Sequence, residues 1–322
     1  MQAIEPASLD AIRAARARIA DSILRTPLVR WNGPESPAEI WLKLENLQAI
    51  GSFKLRGSGN AMRLAGKERL AGGVYTASAG NMAQGVAWNA RRMRIPCTVL
   101  VPDTAPQTKL AAIERLGGRI VQLPFDRWWQ VLVDHGYPGM DGLFVHPVSN
   151  PDVIAGNGTI GLEILEELPD AETIYVPYGG GGLSSGIACA MRALRPAARV
   201  YACEAETAAP FAASLAAGRP VTVDYRASFV DGISSRSLLP EMWPLASAVL
   251  AGSVVASLEE IARAIALLAT HARVVAEGAG GTSVAAAAKH AGTRPAGKIV
   301  CVVSGGNIDA EKLATILRGE VP

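Results

Sequence analysis

Chemistry in this chain starts with one lysine set among small and apolar residues. The stretch Gly51-Ser52-Phe53-Lys54-Leu55-Arg56-Gly57 places Lys54 in a lightly charged segment. Partial desolvation there disfavours the ammonium and leaves a neutral amine able to attack a carbonyl. The other reading is a solvated helix lysine, and this stretch alone does not separate the two. Three further stretches combine glycine with small polar residues. Gly179-Gly180-Gly181-Gly182, followed by Leu183-Ser184-Ser185-Gly186, has four glycines in a row. Such a run lets the backbone approach a ligand and turn its N–H groups inward. With the N-terminal end of a helix starting at Leu183, it makes a phosphate site. It lacks the GK[ST] of a Walker loop and does not fit GxGxxG. Ser78-Ala79-Gly80-Asn81 offers N–H, hydroxyl and amide groups to an anion such as a carboxylate, or else caps an ordinary helix. Ser304-Gly305-Gly306-Asn307 adds polar groups behind an apolar run.

These residues need elements that bring them to one place. A helix is predicted over 8–24 with Ser8 as N-cap, then a strand at 40–44 and a helix at 60–70. Strands at 74–77, 97–101, 119–123 and 143–145 alternate with helices at 82–93, 107–116 and 126–135. The Gly-, Asn- and Pro-rich segment 149–161 reads as a crossing between lobes. The alternation then resumes with helix 159–168, strand 173–176, helix 183–194 and strand 200–204, and ends with helices 258–272 and 281–290 and strand 299–303. Segment 219–244 has no clear period. Short apolar strands alternating with helices predict βαβ units and mostly parallel sheets. The expected architecture is open α/β, with two lobes and a cleft between them.

In such sheets ligands sit at the carboxyl ends of strands. The Lys54 stretch, Ser78 to Asn81, the four glycines and Ser304 all fall at such ends. An amine, a phosphate site, an anion site and polar groups for a ring form a consistent set for pyridoxal 5′-phosphate (PLP). The phosphate goes to the glycines, the aldehyde to Lys54 and the substrate carboxylate to the Ser-Asn turn. Bulk composition agrees with an enzyme of this kind. The 322 residues are 49% hydrophobic and 19% charged, with a formal net charge of +2. That excludes a disordered chain and gives no basic surface for nucleic acid. No apolar run is long enough to span a bilayer, and no secretory leader is visible. Cys97, Cys189, Cys203 and Cys301 are far apart in apolar surroundings, as expected of buried thiols in a reducing cytoplasm.

Taken in order, these motifs resemble the threonine/serine dehydratase and serine racemase family, PLP enzymes of fold type II (tryptophan synthase β-like). The resemblance covers about 26–309. It implies a large PLP-binding domain from 1–66 and 148–322, a small domain at 67–147, and an active site between them. By the same resemblance Lys54 binds the cofactor aldehyde and acts as the Cα base, with Phe53 beside the ring. Asn81 bonds the ring's 3′ oxygen, and Ser78, Ala79, Gly80 and Asn81 take the substrate carboxylate. Gly179, Gly180, Gly181, Gly182 and Leu183 hold the phosphate. Ser304 faces the pyridine nitrogen, and Gly232 and Glu277 line the far side of the ring. The other reading of Glu277 is a surface carboxylate. A cytoplasmic homodimer acting on a small amino acid is implied as well.

Departures from the family pattern carry as much information. Family racemases have a serine where this chain has Ala79, which cannot carry a proton; racemisation needs one such group on each face. Elimination from a β-hydroxy amino acid such as threonine or serine is therefore expected, with serine racemisation, or dehydration of a bulkier or acidic 3-hydroxy amino acid, as alternatives. A non-catalytic protein that keeps the PLP site is a further one. Met82 replaces a usual histidine. Of the family's divalent-metal set, Glu204 and Ala208 are candidates, but Pro210 stands where an aspartate belongs, which leaves a bound divalent metal an open question. The chain ends at Pro322, without the family's C-terminal regulatory domain, so isoleucine control is not expected. Trp128 and Trp129 are read as core or interface packing rather than as a cap over the substrate.

Overall fold

The computed structural model describes residues 3–34, 36, 38–291 and 297–322. Among the described residues ten strands form two sheets. They are β1 (Leu28–Arg30), β2 (Glu39–Leu44), β3 (Val74–Ala77), β4 (Cys97–Pro102), β5 (Arg119–Leu123), β6 (Leu143–Phe144), β7 (Thr173–Pro177), β8 (Arg199–Ala205), β9 (Gly252–Ala256) and β10 (Lys298–Val303). The six-stranded sheet has the order β1-β2-β10-β7-β8-β9 and the four-stranded sheet β5-β4-β3-β6. Only β1 runs antiparallel to its neighbour; every other pairing is parallel. Residues of β3 and most of β7, β8 and β10 are buried, as strands covered by helices on both faces must be. The open α/β expectation holds. Two strands that sequence reading did not foresee, β1 and β9, are the edges of the larger sheet.

Helices supply the cover. Ser8 caps the first, Leu9–Ile19, by accepting the Ala11 N–H. It ends five residues before its predicted end. Segment 149–161 is not a crossing loop. Asn150 caps and Pro151 opens a helix, Pro151–Glu167, which is buried along most of its length. Its glycines are packing devices. A Cβ at Gly156 would lie 2.6 Å from the Arg56 carbonyl oxygen, and one at Gly161 2.8 Å from the Ala190 Cβ. Glycine here permits close helix approach, a use that composition alone does not distinguish from a turn.

The helix Lys54–Arg69 starts at the lysine itself. Arg56 in its first turn is completely buried. Its guanidinium donates to both oxygens of Glu45, each at 2.8 Å, and to both oxygens of Glu163, at 2.7 and 2.9 Å. Lys43, on β2, reaches Glu163 at 2.7 Å and the Thr26 carbonyl at 2.6 Å. This cluster ties the end of β2, the start of the lysine helix and the helix Pro151–Glu167 into one block. Among the described residues no helix is long and apolar enough to cross a membrane.

Candidate active site

A cavity of about 530 Å³ opens at the carboxyl ends of strands from both sheets. Every residue named from the sequence for the cofactor and substrate lines it: Phe53 and Lys54, Ser78 to Asn81, the four glycines with Leu183, Gly232, Glu277 and Ser304. Glu204 and Ala208 do not. The stretches around Lys54 and Ser304 are stitched together by backbone. Ser52 pairs with Gly305 in an antiparallel bridge, the Phe53 N–H donates to the Ser304 carbonyl at 3.1 Å, and the Gly306 N–H to the Gly51 carbonyl at 2.9 Å. Gly51 has φ +68°, and a Cβ there would press on the Asn307 side chain at 2.9 Å.

Lys54 is half-buried and donates to the Pro147 carbonyl at 3.1 Å. Burial lowers its pKa to about 8, and the Glu277 carboxylate opposes that shift without cancelling it. Glu277 moves the other way. Burial, helped by the charge of Asp231, raises its pKa to about 7 against the hydrogen bond from Asn81. Glu277 is thus no surface carboxylate: it faces the cavity. Asn81 Nδ2 donates to Glu277 Oε1 at 2.8 Å, and Asn307 Nδ2 donates to Asn81 Oδ1 at 2.8 Å. Asn307 also anchors on the Ile50 carbonyl at 2.8 Å. A polar chain therefore runs from the lysine stretch through Asn307 and Asn81 to Glu277.

In the same cavity the glycines form a cup closed from outside. A Cβ at Gly180 would lie 2.5 Å from the Val148 side chain, and Gly181 has φ +91°. Gly182 and Leu183 open the helix Gly182–Leu194, so their N–H groups have no preceding helical carbonyl to meet. Gly232 lies in a short turn where a Cβ would approach Ala279 at 3.2 Å. Asp231 beside it accepts from Lys109 at 2.8 Å, which joins that turn to the helix Gln107–Arg115.

The family model for "Pyridoxal-phosphate dependent enzyme" matches residues 19–305. The chain belongs to the pyridoxal-phosphate dependent enzymes. It is 39% identical over 311 residues to an L-threonine ammonia-lyase of Geobacter sulfurreducens, covering 95% of this chain and 77% of that one. It is 32% identical over 318 residues to a serine racemase of Oryza sativa subsp. indica, covering 94% and 91%. The solved structure of maize serine racemase superposes with a TM-score of 0.88 at 31% identity, covering 98% of each chain. Its neighbours identify this PLP enzyme as fold type II. The donor set fits the cofactor. The cup has no space for side chains and offers N–H groups and a helix N-terminus to a phosphate, while a lysine of lowered pKa lines the same cavity.

Sequence reading missed two features of the site. The Pro147 carbonyl that holds Lys54 has no local signature, because any residue could supply it. Asn307 was visible within its motif, but its bond to Asn81 spans 226 positions. Trp128 and Trp129 differ from their expected place. Both are half-buried and line the cavity, while Trp128 Nε1 also donates to the Leu100 carbonyl at 3.2 Å. They pack and face the ligand space at once. Met82 is buried at the cavity wall.

Proposed function

We propose that this PLP enzyme is an ammonia-lyase that converts a β-hydroxy amino acid such as threonine or serine to a 2-oxo acid and ammonia. One observation carries the reading: the Lys54 amine, its pKa lowered to about 8, lines the same cavity as the phosphate cup, and Ala79 stands where a second proton carrier would be needed. When bound, PLP supplies the electron sink that makes the Cα proton acidic and lets the β-hydroxyl leave. The protein does the rest. The glycine cup and the N-terminus of Gly182–Leu194 hold the phosphate. Ser304 presents a neutral hydroxyl to the ring nitrogen, and Gly232 and Phe53 leave room for the ring. The turn from Ser78 to Asn81 orients the substrate carboxylate. Lys54 Nζ, neutral above about pH 8, takes the Cα proton. In net terms the substrate loses a Cα hydrogen and its β-hydroxyl as water, and one water is taken up as ammonia is released.

The named relatives support this reading, since an ammonia-lyase is among the more similar proteins. The two tryptophans and Met82 on the cavity wall favour, as a second reading, a substrate bulkier than threonine. We include in the proposal a small domain at 67–147, a large PLP-binding domain from 1–66 and 148–322, and a cytoplasmic homodimer, whose stoichiometry sedimentation would test. The functional test is an assay of 2-oxo acid and ammonia over threonine, serine, 3-hydroxyaspartate and a bulkier 3-hydroxy amino acid, with Lys54→Ala as control. Turnover by Lys54→Ala would overturn the assignment. A wild type that racemises serine without releasing ammonia would overturn the lyase reading.

A further inference from the structure

Glu204 is completely buried near the end of β8 and does not line the cavity. Its two oxygens accept three hydrogen bonds from protein donors. Oε1 accepts the Phe211 N–H at 2.8 Å, and Oε2 accepts the Ala212 N–H at 2.8 Å and the Ser253 hydroxyl at 2.5 Å. Phe211 and Ala212 are the second and third residues of the helix Pro210–Ala217, whose first N–H groups lack helical acceptors. Pro210 has no N–H to satisfy, so the carboxylate covers the remaining pair and meets the positive end of the helix.

This donor set does not suit a divalent cation. Such an ion binds through carboxylate lone pairs and several further oxygens. Here N–H and O–H groups already point at three of the carboxylate's roughly four lone pairs, and Pro210 contributes no carboxylate. Among the described residues no group of three or more His, Cys, Asp or Glu gathers to hold a metal.

What the clamp holds leads back to the phosphate cup. Phe211 is completely buried and stacks on Tyr178, with ring centroids 4.6 Å apart and planes 18° apart. The Tyr178 hydroxyl has no hydrogen-bond partner among the described residues, so packing alone sets the ring's position. That hydroxyl lies where it would meet a Cβ on Gly181 at 2.9 Å, directly behind the cup residue with positive φ.

We propose that Glu204 is a positioning residue: through the helix Pro210–Ala217, Phe211 and Tyr178 it braces the phosphate cup, and it does so without a bound cation. The bracing rests on the PLP reading of the cup; the cation independence does not. Replacing Glu204 by alanine leaves two buried N–H groups and one hydroxyl without an acceptor and frees the helix to shift. Removing the outer partners of metal ligands typically costs roughly 10–100-fold in affinity, and the brace of a phosphate cup is expected to act at the lower end of that scale.

Two measurements test this. In the first, the protein without cofactor is melted in EDTA and then in millimolar Mg²⁺, Ca²⁺ or Mn²⁺. Coincident melting temperatures are expected; a saturable rise that EDTA reverses would overturn cation independence. In the second, PLP and pyridoxal, which lacks the phosphate, are titrated by absorbance into wild type, Glu204→Ala and the milder Ser253→Ala. Glu204→Ala should lose about tenfold in PLP affinity, with pyridoxal affinity unchanged; Ser253→Ala should lose less in the same direction. Equal losses for both ligands, or no loss for PLP in either variant, would sink the bracing role. A wild type that binds no PLP would defeat the functional assignment and leave the melting result standing.

Discussion

Lys54 and Arg56 are two residues apart on one helical turn, yet they face opposite kinds of surroundings. Arg56 enters a sealed ionic cluster with Glu45 and Glu163, four hydrogen bonds between 2.7 and 2.9 Å. Burial opposes its charge, but the two carboxylates outweigh burial and hold the guanidinium charged. Burial likewise opposes the ionised form of Glu45, and Arg56 prevails, lowering its pKa. Lys54 instead faces a cavity. Its hydrogen bond goes to a neutral carbonyl, and the Glu277 carboxylate fails to restore its pKa. Charge matched by charge makes a fixed strut; charge left unmatched makes a reagent. The heptapeptide holds both, so the strut aims the reagent.

Removing the reagent should have the largest effect. Lys54→Met should cut turnover by about 10⁴-fold or more, the scale seen when a residue of a catalytic unit is deleted. Stability should move the other way. A lysine whose folded pKa is depressed below 10.5 binds fewer protons folded than unfolded, so the cost grows as pH falls through 10.5 and is complete below about 8. At pH 7 the variant without cofactor should therefore melt no lower than wild type. A clear loss of melting temperature would mean that Lys54 also belongs to the strut.

Breaking the strut comes next. Arg56→Met leaves Glu45 and Glu163 buried without their shared partner, with only Lys43 near Glu163. Removing one member of a buried ion pair costs about 3–5 kcal/mol. Urea unfolding without cofactor should show a loss of that size. A loss under about 1 kcal/mol, the worth of a surface pair, would show that the cluster is solvated.

The contrast also explains what could be read from sequence. Lys54, the glycine run and Ser304 were legible because each needs a local residue type at a strand end. Arg56 sits in the same heptapeptide, but its role depends on Glu45 and Glu163, and the second is 107 positions away. The helix Pro151–Glu167 was misread because its glycines serve contacts with other helices, which no local pattern encodes. Alternating short strands gave the parallel sheets. The three-residue β1 was too brief to stand out.

A smaller effect tests how Glu277 speaks to Lys54. The anion raises the lysine pKa, so Glu277→Gln should lower it further. Capture of PLP by the protein without cofactor requires the neutral amine. In wild type its rate should climb with pH and level off above about 8. In Glu277→Gln the inflection should move to lower pH. Stopped-flow absorbance across pH 6 to 10, roughly the span of the two shifted groups, reads this directly. An inflection at higher pH would show that Glu277 acts on Lys54 through structure and not charge.

Smallest of all should be the gain from adding a proton carrier across the cavity. Ala79 lines the site in the turn from Ser78 to Gly80, where family racemases have serine. Lys54 serves one face of Cα, and inversion needs a group on the other. Ala79→Ser adds a hydroxyl to a residue that is only half-buried, so the fold should tolerate it. Its hydroxyl lacks the supporting pKa shift that Lys54 owes to burial, so it should exchange protons slowly. Chiral chromatography of serine recovered after partial turnover should then show a small D-serine fraction that wild type lacks, with ammonia release changed by less than the roughly 10²-fold that losing a general acid or base costs. Equal D-serine from both proteins would mean that wild type already has a second proton carrier. Glu277, with its pKa near 7 in the same cavity, would then be the group to replace next.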